Sequence, residues 1–144
     1  MDEVVSMTIP ASPEYVRVVR EIVGEAAGLA GLRRKEGKDL ALAVAEGCAN
    51  VIQHCYGGQE GKITVRCLVG RSELEVRIRD FGRKPDPATI RSRDLADIRP
   101  GGLGVFLMQN LVDDVRYNFT HPIGTELILK KTKANDKRDK TNDD

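Results

Sequence analysis

The sequence has almost no net charge, no long apolar run and no paired cysteines, and each shortage removes a class of function. Its 23 Lys and Arg nearly cancel 22 Asp and Glu, so no overall field draws the chain onto nucleic acid or an anionic membrane. Any partner must be recognised locally. No segment approaches the ~20 consecutive apolar residues of a membrane span, and the opening MDEVVSMTIP has no basic stretch followed by an apolar one. A cytoplasmic protein, with no direct contact to membrane or nucleic acid, is the expectation. Cys48, Cys55 and Cys67 are odd in number, form no C-x-x-C pair and lie in apolar periodic segments, the pattern of reduced core thiols. Gathering Cys48, His54 and Cys55 around a metal fails because helical spacing scatters the two cysteines about the axis and no second ligand pair follows. There is no internal repeat. With 144 residues, 40% hydrophobic and 31% charged, the chain fits one compact domain with a real core and little room for a second.

Periodicity then supplies the elements. Val4 to Ile9 reads as a strand ended by Pro10, after which Ser12 is expected to cap a helix with Pro13 in its first turn. Val16, Val19, Ile22, Val23, Ala26 and Ala27 recur at helical spacing to about Leu29, and Gly28 and Gly31 help to end that helix. A charged linker, Arg33 to Lys38, leads to a second helix from about Asp39 to His54, with Leu40, Val44, Cys48 and Val51 as its seam and Gly57-Gly58 as its stop. Lys62 to Val69 and Glu73 to Asp80 alternate as strands do and are joined by Gly70-Arg71-Ser72, an antiparallel hairpin. Phe81 to Pro100 holds three prolines, many charges and no sustained period, and reads as a long loop of the kind that usually carries function. A third helix, Val105 to Val112, precedes strands near Val115 to Phe119 and Thr125 to Lys131, and a charged, solvated tail closes the chain. Hairpin-linked strands and helices in runs predict an α+β fold: two layers, with helices on one face of a mixed, mostly antiparallel sheet.

Four signals within this frame carry chemistry. Glu46, Asn50 and His54 are spaced by four, and each such step advances ~6 Å while turning only about 40°, so they form one polar stripe. Alone, it reads as a solvated helix face. Asp80 shares strand parity with Leu74, Val76 and Ile78, so it points inward. A buried carboxylate must meet backbone donors, water, a cation or a ligand. A ligand with an amine donor, such as adenine's exocyclic amino group, would satisfy it, and a base with a carbonyl there would be rejected. Gly101-Gly102-Leu103-Gly104 precedes an apolar helix; bare backbone and a helix N-terminus attract phosphate, although such glycines are often only a turn. No Lys followed by Ser or Thr comes after them, as a P-loop requires, and G-x-G-x-x-G is not matched. Thr125 shares parity with Leu127 and Leu129 and also faces inward. It can reach the same base or be satisfied by the backbone.

Together these segments, over nearly the whole chain, resemble the ATP-binding (Bergerat) fold of the GHKL superfamily, and most closely its small anti-sigma-factor serine kinases. Glu46-Gly-Cys-Ala-Asn50-Val-Ile-Gln-His54-Cys-Tyr56 resembles the N box, Asp80-Phe-Gly82 the first glycine box and Gly101-Gly-Leu-Gly104-Val-Phe-Leu107 the second. Gly124-Thr125-Glu126 is similar to the final box, and Arg83-Lys84-Pro85-Asp86-Pro87 to the opening of the lid. The resemblance implies a histidine-kinase-like ATPase domain over residues 1–131, with a lid at about 83–104 and a charged tail at 132–144. It implies that Asn50 binds Mg²⁺, that Asp80 holds the adenine amine with Thr125 assisting, and that Gly82 keeps the strand end open. Gly102, Leu103, Gly104 and Val105 would wrap the phosphates of ATP, and Glu46 would take the proton of the attacking hydroxyl. Phe81 fills a position often polar in the family; Arg99 would touch the γ-phosphate or be solvated.

A histidine kinase needs an accepting histidine on a separate helical pair, and the two histidines here are His54, inside the N box, and His121, in a late turn. Gyrase, mismatch-repair and chaperone relatives couple ATP to further domains for which this chain has no room. The resemblance therefore implies an ATP-dependent kinase that phosphorylates a serine of a STAS-domain anti-anti-sigma protein, sequesters an RNA polymerase sigma factor and forms a homodimer. Two alternatives stand beside it: a nucleotide-gated binding module without physiological transfer, and a kinase of a stress-sensing complex.

Overall fold

A computed structural model describes residues 1–84 and 107–134. Five strands, β1 (Asp2–Pro10), β2 (Lys62–Gly70), β3 (Glu73–Asp80), β4 (Asp114–Asn118) and β5 (Glu126–Thr132), form one sheet in the order β1-β2-β3-β5-β4. Each of its pairings is antiparallel. Helices α1 (Val16–Leu29) and α2 (Arg34–Asn50) pack on each other and on one face of the sheet, α1 against β2 and β3 and α2 against β3 and β5. Residues 107–111 form the described part of α3. This is the α+β, two-layer arrangement that the alternation of the sequence predicts.

Parity builds the core. Ile63, Val65 and Cys67 of β2, Leu74, Val76 and Ile78 of β3, and Leu129 of β5 are fully buried beneath Val19, Val23, Leu40, Val44 and Cys48 of the helices. The three cysteines are free and buried. The hairpin register pairs Ile63 with Asp80 and Gly70 with Glu73 around a two-residue turn in which Ser72 has φ 55°. That register carries Asp80 to the end of β3 on the helix-covered side.

Three sequence expectations are corrected. Ser12 does not cap an α-helix: a 3-10 turn, Pro13–Tyr15, comes first, and the Ser12 hydroxyl donates to Glu14 at 2.6 Å. Arg33 to Lys38 is not a linker, because α2 begins at Arg34. Glu36 accepts the Arg33 N–H at 2.9 Å, which supplies the capping that the charged run conceals. The second helix is not α-helical to His54 either: it turns π-helical over Val51–Tyr56 and stops at Gly57, φ 57°. The even four-residue spacing of the polar stripe therefore holds from Glu46 to Asn50 and widens beyond it.

Gly47, next to Glu46, sets how closely α2 approaches the sheet. A Cβ there would lie 2.8 Å from Leu127 Cδ2 and 3.0 Å from Ile78 Cδ1. Overpacking of this kind costs about 1–3 kcal/mol, and alanine returns about 1 kcal/mol in helix propensity. Gly47→Ala is therefore expected to lower stability by about 1 kcal/mol, read from urea unfolding; a more stable variant would contradict the close approach.

Candidate functional site

The end of β3 carries the most deeply buried carboxylate among the described residues. Asp80 is 1% exposed, the last member of an apolar row. Its carboxylate accepts the Gly82 N–H at 3.0 Å, and the Thr125 backbone and the Cys55 thiol lie beside it. Burial pushes its pKa above the ordinary carboxylate value, and the Gly82 and Thr125 N–H donors oppose that rise. The Asp80 N–H in turn donates to the Thr125 carbonyl at 3.0 Å. Asp80, Gly82 and Thr125, which the sequence places apart, are thus one hydrogen-bonded unit.

Thr125 is 3% exposed, and its hydroxyl has no hydrogen-bond partner among the described residues. An unsatisfied buried hydroxyl costs on the order of 1–3 kcal/mol, so a polar ligand arriving beside Asp80 gains by engaging it. Gly82 is bare where it must be: a Cβ would lie 2.5 Å from the Cys55 carbonyl oxygen. Phe81 is half-exposed at the rim, with the Arg79 guanidinium 4.4 Å from its ring centroid.

Glu46 and Asn50 are both half-buried, one turn apart on α2. The Asn50 amide nitrogen is buried with no hydrogen-bond partner among the described residues. An amide's two ends interchange by rotation, and an end without a partner inside the protein is the one that a ligand can claim. The π-helical turn that follows brings Cys55 and Tyr56 to the chain just after Asp80, where the Tyr56 hydroxyl accepts the Phe81 N–H and the Cys55 carbonyl the Arg83 N–H. His54 is half-buried on the same turn. Gly102, Leu103, Gly104, Val105 and Arg99, and Pro85 to Pro87 of the lid, lie outside the described residues. The site residues that sequence reasoning missed are Tyr56, Cys55 in its contact with Asp80, and Gly124, which approaches the Asp80 backbone.

A buried acceptor, an unpartnered hydroxyl and bare backbone at an open strand end fit an amine-bearing base; a carboxylate and an amide one helical turn apart fit the other end of a nucleotide. Residues 9–131 match the model of the histidine kinase-like ATPase domain. The sequence is 34% identical to the serine-protein kinase RsbW of Listeria monocytogenes serovar 1/2a over 91% of this chain and 88% of that protein. The chain belongs to the RsbW family of serine-protein kinases. RsbW proteins of Bacillus pumilus and Bacillus subtilis are 36% and 35% identical, each over 78% of this chain and 76% of theirs. A histidine kinase domain from the Erythrobacter litoralis EL346 blue-light activated histidine kinase superposes with a TM-score of 0.57 at 18% identity, over 90% of this chain and 64% of that one, which speaks for the fold alone. Family membership makes this chain an ATP-dependent serine kinase. Among the described residues, no helix is long and apolar enough to cross a membrane.

Proposed function

We propose that Asn50, Asp80, Gly82 and Thr125 bind ATP with Glu46 as the base beside them, and that phosphate passes to a serine of a STAS-domain anti-anti-sigma protein. The observation that carries this reading is Asp80, a 1% exposed carboxylate held by donors at a strand end. Asp80 accepts the adenine amine, and the Thr125 hydroxyl hydrogen-bonds at the same edge of the base. Gly82 leaves that edge open. Asn50 offers an amide oxygen, a suitable hard ligand that would hold Mg²⁺; the ion would supply positive charge against the phosphates. Glu46, a turn away, takes the proton of the serine hydroxyl, since phosphoryl transfer asks the protein mainly for positioning, charge neutralisation and a base near the nucleophile. Gly102, Leu103, Gly104 and Val105 would wrap the phosphates beneath a lid of about 83–104, within a single domain of residues 1–131 ahead of the charged tail.

In the same reading the chain is a cytoplasmic homodimer that sequesters a sigma factor when not engaged with its antagonist. The RsbW relatives support this place in regulation. Incubation with γ-labelled ATP, Mg²⁺ and the cognate antagonist should give a phosphoserine on the antagonist. If partner affinity changes between ATP and ADP while no label is ever transferred, the chain is a nucleotide-gated binding module instead.

The raised pKa of Asp80 gives this reading a pH signature. A carboxyl whose folded pKa lies above its unfolded value subtracts stability once pH exceeds the folded pKa, so acidification relieves the fold rather than stressing it at this residue. Ligand binding runs the other way, because the amine needs the ionised acceptor. ATP affinity should therefore begin to fall above the ~3.9 of an ordinary Asp as pH is lowered, by an increment absent in Asp80→Asn. Identical pH profiles for the two proteins in calorimetric titrations would remove Asp80 as the base acceptor.

A further inference from the structure

Two residues at the base end of the site have no part in the reaction described above. Tyr56 is 9% exposed; its hydroxyl accepts the Phe81 N–H at 2.8 Å and donates to the Lys62 carbonyl. Its ring occupies the space that a Cβ on Gly61 would need, 2.2 Å from Tyr56 Cε1. Cys55 is also 9% exposed. Its carbonyl accepts the Arg83 N–H at 2.7 Å, and its thiol lies beside the Asp80 carboxylate. The stretch after Asp80 is therefore fastened at every residue: Phe81 by Tyr56, Gly82 by Asp80 itself, and Arg83 by Cys55. The π-helical turn makes this possible, since its wider turn rotates less per residue than an α-helix and lets two consecutive side chains both face the sheet.

The carboxylate is committed in the same way. An ionised carboxylate offers about four lone-pair positions. Gly82 takes one of them at 3.0 Å, and the Thr125 backbone and the Cys55 thiol crowd others. Burial and Asp80 together push the Cys55 thiol up to about 12, so it stays protonated and is a permanent donor. A carboxylate with lone pairs to spare accepts a further donor and repels a carbonyl oxygen.

We propose that Tyr56 and Cys55 are positioning residues for nucleotide selection: they lock the turn from Asp80 to Arg83 and so aim the Asp80 carboxylate at a base with an exocyclic amine. The proposal rests on Asp80 as the base acceptor. Tyr56 anchors the turn to the end of α2 and the start of β2 at once, while Cys55 stops the carboxylate from rotating. A purine with a carbonyl at that edge is excluded by the orientation as well as by the charge.

The test is equilibrium binding of ATP and of GTP to the full chain with Mg²⁺, with unfolding midpoints measured in parallel, for wild type, Tyr56→Phe, Cys55→Ala, Cys55→Ser and Asp80→Asn. Losing one such hydrogen bond should weaken ATP binding by about 5–10-fold in Tyr56→Phe and Cys55→Ala, with GTP binding unchanged, so the preference for ATP narrows. Cys55→Ser, which keeps the donor and nearly the size, should restore it. If Tyr56→Phe and Cys55→Ala lower the unfolding midpoint while the ATP-to-GTP ratio stays at the wild-type value, the two residues are merely structural and the proposal is overturned. If Asp80→Asn changes the ratio and they do not, the latch alone is overturned; if Asp80→Asn leaves the ratio unchanged, the base-acceptor reading falls and the latch with it.

Discussion

Glu46→Gln is expected to lower phosphoryl transfer to the antagonist by about 10²–10⁴-fold while ATP binding and stability stay at wild-type values. The substitution keeps the length and shape of the side chain and removes its capacity to take a proton. Glu46 is half-buried on α2, one turn before Asn50 and beside Gly47, where the helix lies closest to Leu127 and Ile78. That contact gives the carboxylate a rigid base, so its position does not depend on a loop. Among the described residues no ion pair or hydrogen bond engages the Glu46 carboxylate, and for that reason the expected loss falls on chemistry rather than on folding. Single-turnover transfer from γ-labelled ATP, with nucleotide affinity measured separately, isolates the effect. Undiminished transfer would remove Glu46 as the base; a parallel loss of ATP affinity would show that its role is in binding.

What the sequence made legible was set by period. A strand repeat of two is stiff, so the parity that puts Asp80 in the row of Leu74, Val76 and Ile78 survives into the fold without distortion, as does that of Thr125. The helical period was readable where apolar residues mark it and was lost where charge does. Arg34, Lys35 and Lys38 favour helix as much as linker, and the deciding fact was local: Glu36 accepting the N–H of Arg33. That capping pair could have been found in the spacing. The π-helical turn could not, because a change from four to five residues per hydrogen bond leaves no mark in side-chain pattern over six residues. Its consequence, two consecutive buried residues at Cys55 and Tyr56, was therefore invisible. Cys55 was legible as a buried free thiol, but its place beside Asp80 depends on a contact between segments 25 positions apart. The same holds for Gly124, whose place beside Thr125 is plain in the sequence while the reason for it lies across the sheet.

That reason makes Gly124 a sensitive position outside the reacting groups. Its φ of 73° is one that side chains rarely adopt, and a Cβ there would lie 2.0 Å from the Asp80 carbonyl oxygen and 2.6 Å from its carbon. Both are backbone atoms of β3, held by the pairing with β2 and by the hydrogen bond from the Asp80 N–H to the Thr125 carbonyl at 3.0 Å. No rotamer relieves the clash, so the chain around Gly124 must move off the strand end, and Thr125 moves with it. Gly124→Ala is expected to cost about 2–4 kcal/mol from strain and overpacking combined, a fall of roughly 6–14 °C in Tm, and to weaken ATP binding by at least about tenfold, the loss of one good hydrogen bond to a charged group. Gly58→Ala is the matched control: its φ of 83° carries the same backbone strain, but nothing lies within 4 Å of the added carbon. That variant should lose only about 1–2 kcal/mol and bind ATP normally. Equal losses of stability and ATP affinity in the two variants would mean that positive φ alone governs Gly124 and that its approach to Asp80 does not shape the site; a loss confined to Gly124→Ala ties the geometry of the β4–β5 turn to the carboxylate that reads the base.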